Sequence, residues 1–161
     1  MEFKQADHTV DVIIFRRRAV KDRAEIQVAL IKRRHTPHKG KYAFVGGYLD
    51  VASGETLEEA ARRESREEVS TDRFLDFKQF RTYSDPKRDP RKRVITTVFL
   101  AVLEDDVELV AGDDAASVEW FDHLHKMPDL AFDHNAIFAE VVQAVDFNQL
   151  LVFGDLKGVR I

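Results

Sequence analysis

The sequence contains no cysteine, and glycine and proline, which interrupt regular structure, number only seven and four among 161 residues. Without cysteine neither disulfides nor thiolate metal sites can form, so nothing indicates an oxidising compartment. No apolar run approaches the roughly 18–20 residues that a membrane span needs, and the first ten residues lack the apolar segment of a signal peptide. These absences predict a cytoplasmic protein that does not contact a membrane.

An excess of positive charge is also missing. The formal net charge is −4, which argues against general nucleic-acid binding. A ligand that carries phosphate would therefore have to be bound by local positive charge or by metal ions. The length suits one domain with a real core, and no repeat, low-complexity stretch or linker divides residues 1–161. We therefore predict a single domain, and the sequence leaves a homodimer open.

Short β-branched segments and two helical segments follow one another along the chain. We predict strands at Val10–Phe15, Ile26–Ile31, Tyr42–Val45, Phe77–Tyr83, Arg93–Leu103, Val118–Phe121 and Leu150–Phe153. We predict a hairpin or loop at Arg16–Glu25, loops at Lys32–Lys41 and Ser84–Lys92, and helices from Thr56 to about Val69 and at Asn135–Val145. Helices interspersed among many short strands indicate an α/β fold in which a mixed sheet is sandwiched between helices.

The first predicted helix carries acidic residues on the side that should face the protein. At about 100° per residue, Leu57 and Ala60 mark the apolar side of this helix. Glu64 and Glu68 fall in the middle of that side, and Glu67 lies at its edge. Three carboxylates turned toward the protein repel one another and lose hydration. A hard divalent cation removes that penalty, and Mg²⁺ is the usual one where phosphates supply further ligands.

A solvated, charged helix is the alternative interpretation of the same segment. Helices with the pattern EExxR are common, and Arg63 and Arg66 would neutralise the glutamates. On the outer face we expect pairs four residues apart, between Glu58 and Arg62 and between Glu59 and Arg63. The pattern alone leaves both interpretations open.

The segment also resembles the Nudix box, G-x5-E-x7-R-E-U-x-E-E-x-G-U, in which U is a bulky aliphatic residue. The matching residues are Gly47, Glu55, Arg63, Glu64, Glu67 and Glu68. The resemblance implies the Nudix fold. It also implies hydrolysis of a nucleoside diphosphate linked to another group, with Mg²⁺ as the cofactor and Mn²⁺ as the alternative.

The resemblance assigns a role to each matching residue. It makes Glu64, Glu67 and Glu68 the metal ligands and catalytic residues. Gly47 would offer its backbone carbonyl to a metal, a close approach that a side chain would hinder. Arg63, which belongs with the catalytic residues, would hold Glu64 or Glu67 in orientation. Glu55 would support the junction between loop and helix.

Three departures from the motif affect the loop and the helix rather than the predicted ligands. Seven residues instead of five separate Gly47 from Glu55. Ser65 occupies the position of the aliphatic residue that normally packs under the helix. Ser70 occupies the position of the glycine that normally ends it, and we expect a weaker C-cap there.

The sequence Asp85-Pro-Lys-Arg-Asp-Pro-Arg91 resembles a loop of Nudix proteins that handle ADP-ribose. The two prolines stiffen the loop, and Arg88 and Arg91 present planar guanidinium groups suited to phosphate. The alternative is a solvated hairpin tip whose arginines pair with Asp85 and Asp89. We favour the functional interpretation, which implies hydrolysis of ADP-ribose to AMP and ribose 5-phosphate.

Three further residues are candidates for the site. Asp114 lies in an acidic loop that resembles one in these enzymes, where it would act as general base or contact a metal; an Asx-type turn is the alternative. His134 follows the recurrent sequence LAFD and is assigned to substrate binding, although a structural hydrogen bond is its more usual role. Asp133 is expected to cap the last helix. Phe44 is also assigned to the substrate site. In the basic loop Lys32–Lys41, Lys32, Arg33 and Arg34 could face an anionic substrate, but most of these residues are expected to be solvated.

Two other functions compete with ADP-ribose hydrolysis. The first is an ADP-ribose sensor of a transcriptional regulator, in which a Nudix-like domain is joined to a winged helix. Such sensors commonly lose the catalytic glutamates, which are intact here, and only 16 residues follow the last predicted helix. The sensor hypothesis therefore requires that the sequence be a fragment. The second is hydrolysis of NADH, a dinucleoside polyphosphate or a nucleoside triphosphate.

Overall fold

Seven strands and three helices make up the described part of the chain, residues 1–122 and 127–161 of a computed structural model. The strands are β1 (Asp7–Val20), β2 (Arg23–Arg33), β3 (Tyr42–Ala43), β4 (Val45–Tyr48), β5 (Phe74–Tyr83), β6 (Val94–Leu103) and β7 (Ala115–Asp122). The helices are α1 (Leu57–Val69), α2 (His134–Ala144) and α3 (Phe147–Phe153).

The strands form one mixed sheet with the central order β3-β2-β1-β6-β5, while β4 pairs with β1 and β7 with β2. The β1–β6 pair is parallel and the other strand pairs are antiparallel. Alternate side chains of β1 enter two apolar clusters, one shared with α2 and α3 and the other with α1. Because helices cover both faces, β1 is apolar at successive positions, as a doubly buried strand requires. The predicted α/β sandwich is confirmed.

The hairpin expected at Arg16–Glu25 is confirmed, since β1 and β2 pair as far as Val20 and Arg23. The strand predicted at Leu150–Phe153 is wrong, because these residues belong to α3. Asp146 caps α3 by accepting a hydrogen bond from the Gln149 backbone N–H, and Gly154 ends it in the left-handed conformation. An acidic N-cap before the run and a glycine after it are local helix signals, and they outweigh the β-branched composition.

Helix α1 begins and ends with specific side-chain hydrogen bonds. Thr56 and Glu59 form a reciprocal capping box at its N-terminus. This explains why the expected Glu59–Arg63 pair is wrong, whereas the Glu58–Arg62 pair is formed at 3.3 Å. At the C-terminus Ser70 adopts the left-handed conformation, with φ of 66°, and its hydroxyl donates to the Val110 carbonyl at 2.9 Å. The serine thus takes the conformation that glycine usually supplies.

Within the described residues, each helix is too short or too polar to cross a membrane by itself. The pair α2 and α3, bent by 74°, satisfies that test by combined length and composition only.

Candidate active site

A cavity of about 210 Å³ opens beside the sheet and is lined by β1, β2, β4, the end of α1 and several loops. Seven of the ten predicted site residues line it: Phe44, Gly47, Glu68, Arg88, Arg91, Asp114 and His134. The remaining three, Arg63, Glu64 and Glu67, form a contiguous group on α1 with Glu64 directly behind Gly47. Residues more than 80 positions apart in sequence therefore meet at one site.

Glu68 is a buried carboxylate without a basic partner in the described part of the chain. It is 8% exposed, and its Oε2 accepts a hydrogen bond from the Gly46 backbone N–H at 3.1 Å. Burial raises the pKa of Glu68 to about 8, and the negative charges of Glu64, Asp11 and Asp114 act in the same direction. A positive charge supplied from outside the chain would relieve this strain.

Glu64 and Glu67 both lie against Arg63, which acts as a clamp on α1. The Arg63 Nη1 group donates to Glu64 Oε1 at 2.8 Å and to Glu67 Oε2 at 3.2 Å. Its Nε and Nη2 groups bind both oxygens of Glu55, and Nη2 also binds the Tyr48 carbonyl. Glu64 is buried, and burial raises its pKa despite Arg63. Glu67 is half-exposed, in agreement with its edge position on the helix.

Glu55 holds the loop that precedes α1. Its Oε1 accepts a hydrogen bond from the Asp50 backbone N–H at 2.7 Å, besides the two bonds from Arg63. The hydrogen bonds from Arg63 and the Asp50 N–H lower the pKa of Glu55 to about 2. This carboxylate is therefore ionised at any physiological pH and keeps the longer loop attached to the helix.

Gly47 allows β4 to lie directly against the acidic side of α1. A Cβ at this position would overlap the Glu64 carboxylate, and one at Gly46 would overlap the Val10 carbonyl. Only glycine gives the backbone this close approach. The Gly47 peptide is thus held beside Glu64, where the resemblance places a metal.

The oxygen donors at this site have the chemistry of a site for a hard divalent cation. Buried carboxylates on α1 and a backbone glycine beside them are ligands that Mg²⁺ accepts, and Glu68 forms no salt bridge with any described residue. Among residues 1–122 and 127–161, no three acidic or histidine side chains are gathered closely enough to enclose an ion. The donor atoms are of the type that binds a metal. In this structure, however, Glu64 and Glu67 are hydrogen-bonded to Arg63.

The two arginines of the loop between β5 and β6 are each paired with a carboxylate. Arg88 is buried, and its Nε and Nη2 groups donate to Asp133 at 3.0 and 2.8 Å. Arg91 binds both oxygens of Asp89, at 3.1 and 2.8 Å. The alternative interpretation, in which the arginines pair with aspartates of the same loop, is therefore correct for Arg91. Arg88 instead pairs with Asp133, a partner that the sequence did not indicate. Asp133 is the N-cap residue of α2, as predicted, but its carboxylate binds Arg88 and makes no cap bond to the helix.

His134 is buried behind the cavity and connects three elements. Its Nδ1 accepts a hydrogen bond from the Phe44 backbone N–H at 3.2 Å, so the proton lies on Nε2, 3.4 Å from Asp11 Oδ1. Its ring stacks on Phe44 with 4.8 Å between centroids. Asp11 also accepts a 2.6 Å hydrogen bond from Thr96. His134 and Phe44 thus form a rigid wall of the cavity.

Asp114 stands at the open edge of the cavity. Its side chain is 74% exposed, and Oδ1 lies 4.0 Å from His35 Nε2. It is therefore accessible to a water molecule or a ligand.

Several lining residues were not among the predicted site residues: Asp11, Arg33, Arg34, Tyr48 and Phe132. Asp11 had a detectable signal, since it is a lone acid inside the apolar run VDVIIF. Phe132 had none, because its left-handed backbone, with φ of 53°, is visible only in the structure. The sequence left open whether Arg33 and Arg34 face a ligand or solvent, and both line the cavity.

Comparison with known proteins establishes the family of this chain. A family model described as NUDIX domain matches residues 7–143. The chain belongs to the Nudix family, and the predicted Nudix fold is confirmed.

Individual relatives include both an enzyme and a regulator. The chain is 43% identical to the ADP-ribose pyrophosphatase of Methanocaldococcus jannaschii over 121 residues, which are 73% of this chain and 66% of that protein. It is 29% identical over 134 residues to the ADPR responsive transcriptional repressor NtrR of Acinetobacter baylyi, covering 82% of this chain and 51% of the repressor. A MutT/nudix family protein from Enterococcus faecalis superposes with a TM-score of 0.75 at 27% identity, covering 94% of this chain and 64% of that one. The chain thus spans about half to two thirds of the length of these relatives.

Proposed function

We propose that the protein hydrolyses the diphosphate of a nucleoside diphosphate derivative in this cavity and that ADP-ribose is the substrate. The observation that carries the proposal is Glu68, a buried carboxylate with no ion-pair partner in the described chain, in a cavity that arginines also line. Uncompensated buried charge is costly and is typical of sites that bind a charged ligand. The 43% identity to an ADP-ribose pyrophosphatase supports the choice of substrate.

The reaction adds water across the diphosphate. The water oxygen bonds to one phosphorus, the bridging P–O bond breaks, and the products are AMP and ribose 5-phosphate. Asp114 would accept the proton of the attacking water, because its carboxylate is exposed at the cavity edge. The wall of Phe44 and His134 would exclude bulk water from the opposite side.

We assign the cofactor as Mg²⁺, with Mn²⁺ as the alternative, held by Glu64, Glu67, Glu68 and the Gly47 carbonyl. When bound, such an ion neutralises charge that develops on the diphosphate and makes a coordinated water more acidic. Arg63 would have to release Glu64 and Glu67 while it keeps its two bonds to Glu55. Glu55 would thereby hold Arg63 beside the site as a positioning residue.

The residues predicted to bind the substrate differ in how accessible they are. Arg91 is 40% exposed and can contact a ligand, whereas Arg88 is 4% exposed and already bound to Asp133. His134 is equally buried. We therefore assign Arg91 to direct substrate contact, and Arg88, His134 and the buried Phe44 to the cavity wall against which the substrate would lie.

An ADP-ribose-binding domain of a transcriptional regulator is the second candidate function. The similarity to the repressor NtrR, over 82% of this chain, favours it. Such a sensor would bind the same ligand without cleaving it, and the carboxylates of α1 would then have no catalytic use.

Product analysis separates the candidates. The protein is incubated with ADP-ribose and Mg²⁺, and the products are resolved by chromatography beside reactions with NADH, a dinucleoside polyphosphate and a nucleoside triphosphate. We expect AMP and ribose 5-phosphate from ADP-ribose, and no turnover in EDTA. Thermal stabilisation by ADP-ribose without products after long incubation would establish the sensor instead. Faster cleavage of another nucleotide would overturn the choice of substrate.

A further inference from the structure

We propose that Arg33 and Arg34, at the end of β2, bind the phosphate groups of the ligand, while Arg88 holds the cavity wall in place. The proposal rests on the proposed function in that it takes the ligand to be a nucleoside diphosphate. It assigns the main anion-binding role to two residues outside the arginine-rich loop.

The four arginines that line the cavity differ in their partners. Arg88 and Arg91 each donate two hydrogen bonds to one aspartate. Arg33 and Arg34 form no ion pair in the described chain; each donates to a single backbone carbonyl, that of Pro37 at 2.9 Å and that of Ala115 at 3.2 Å respectively. Most of their five N–H donors therefore remain available to a ligand.

Arg33 is held in position although it forms no ion pair among the described residues. Its Nε group is fixed by the Pro37 carbonyl, and its guanidinium lies over the Phe132 ring, 4.9 Å from the centroid. Burial and then the positive charge of Arg91 lower the pKa of Arg33, and they outweigh the opposing negative charges of Glu68, Asp11 and Asp89. A half-buried cation next to another cation is costly, and an anion between them would remove that cost.

The nearby carboxylates are committed elsewhere or are poor counter-charges. Asp89 binds Arg91, and Asp11 binds Thr96 and faces His134. Glu68 accepts a hydrogen bond from the Gly46 backbone N–H. Among the described residues, none of these carboxylates forms an ion pair with Arg33.

The end of β2 explains why two successive residues line one cavity. Alternate side chains of a regular strand point to the same face, and Ile31 and Arg33 on β2 both line the cavity. Arg34 lies beyond the end of β2, so its side chain does not follow that alternation. Two neighbouring planar guanidinium groups suit a ligand with two phosphates better than one with a single carboxylate.

The test compares charged and uncharged probes in an EDTA buffer that prevents hydrolysis. Inorganic pyrophosphate, ADP-ribose and adenosine are titrated by calorimetry into the wild type, Arg33→Gln, Arg34→Gln and the matched control Arg18→Gln. Arg18 is an exposed arginine seven residues beyond Asp11 on β1. Losing a charge-assisted hydrogen bond corresponds to about ten- to a hundredfold in affinity. We expect this loss for pyrophosphate and ADP-ribose in both cavity variants, and none for adenosine or in Arg18→Gln.

Arg33→Lys supplies a second check, because it retains the charge but not the guanidinium fork. We expect it to bind pyrophosphate with an affinity between those of the wild type and Arg33→Gln, and thermal melting monitors folding of each variant. Wild-type affinity in both glutamine variants, equal losses in Arg18→Gln, or no binding of either phosphate probe to the wild type at millimolar concentration would overturn the proposal. If pyrophosphate binding is lost in the variants but the wild type cleaves no ADP-ribose, the anion site stands and the proposed function fails.

Discussion

Helix α1 and the loop between β5 and β6 both direct charged residues to the cavity, but they balance the charges differently. In the loop, Arg88 and Arg91 each have a carboxylate partner. On α1, Glu68 is buried without an ion-pair partner in the described chain, and burial raises its pKa to about 8. Matched buried charges hold a structure together, whereas an unmatched one is tolerated where a ligand supplies the missing charge. The comparison suggests a division of roles: the paired arginines stabilise the site, and the unpaired Glu68 is available to a ligand.

The largest effect is expected from removing the unmatched charge. Glu68→Gln should lower kcat/KM for ADP-ribose by about a thousandfold, because metal-based charge stabilisation is worth several kcal/mol and 1.4 kcal/mol corresponds to about tenfold. The free energy of unfolding in EDTA should not fall. Steady-state kinetics and urea unfolding measure the two quantities. Glu58→Gln on the outer face is the control, and wild-type turnover in Glu68→Gln would remove this residue from the catalytic site.

Removing a matched charge should instead lower the free energy of unfolding. Asp133→Asn removes the closer ionic partner of the buried Arg88, at 2.8 Å, and leaves the longer contact with Asp11 at 4.0 Å. We expect the free energy of unfolding to fall by about 3–5 kcal/mol, as for other broken buried pairs. Urea denaturation at neutral pH tests this, with Arg66→Gln as the control, because its exposed pair with Asp72 should contribute about 1 kcal/mol or less. Equal losses in the two variants would contradict the distinction.

The most gradual effect, and the smallest for each pH unit, concerns the proton of Glu68. The pKa of Glu68 in the folded protein, about 8, lies above its ordinary value of 4.5. The folded state therefore binds this proton more tightly, so the contribution to stability is full below pH 4.5 and is lost as pH rises toward 8. One carboxyl changes the free energy of unfolding by at most about 1.4 kcal/mol per pH unit.

This pH effect is measured as a difference between two proteins. Urea unfolding of the wild type and Glu68→Gln in EDTA, from pH 5 to pH 8, should show the wild type losing stability relative to the variant. Mg²⁺ should reduce that loss, since a ligand of the native state stabilises it. A difference between the two proteins that does not change with pH would contradict the unpaired state of Glu68.

Much of the acidic side of the site was predictable because it is local. Glu64, Glu67 and Glu68 lie within two turns of one helix, so the helical period alone places them near one another. The assignment of Arg63 to Glu64 or Glu67 needed only spacing along the same helix. Gly47 followed from its resemblance to a motif position, and the structure adds the physical reason that a side chain there would meet Glu64.

The basic side was not predictable in the same way. Arg88 pairs with Asp133, a residue 45 positions away, and no local pattern links the two. Arg33 lines the cavity on the same face of β2 as Ile31, with its guanidinium over Phe132, a residue 99 positions away in sequence. The sequence around an arginine next to a proline-rich turn does not indicate whether its partner is solvent, an aspartate or a ligand.

By itself the sequence determined the helix α1 with its inward carboxylates, the β-rich α/β architecture and the family resemblance, because each depends on the order of residues within short segments. Only the tertiary structure decided which charges are neutralised. Arg88 and Arg91 have carboxylate partners, whereas Arg33 and Glu68 have no ion-pair partner in the described chain. The physical reason is that pairing and desolvation depend on distances between segments remote in sequence, and those distances exist only once the sheet has formed.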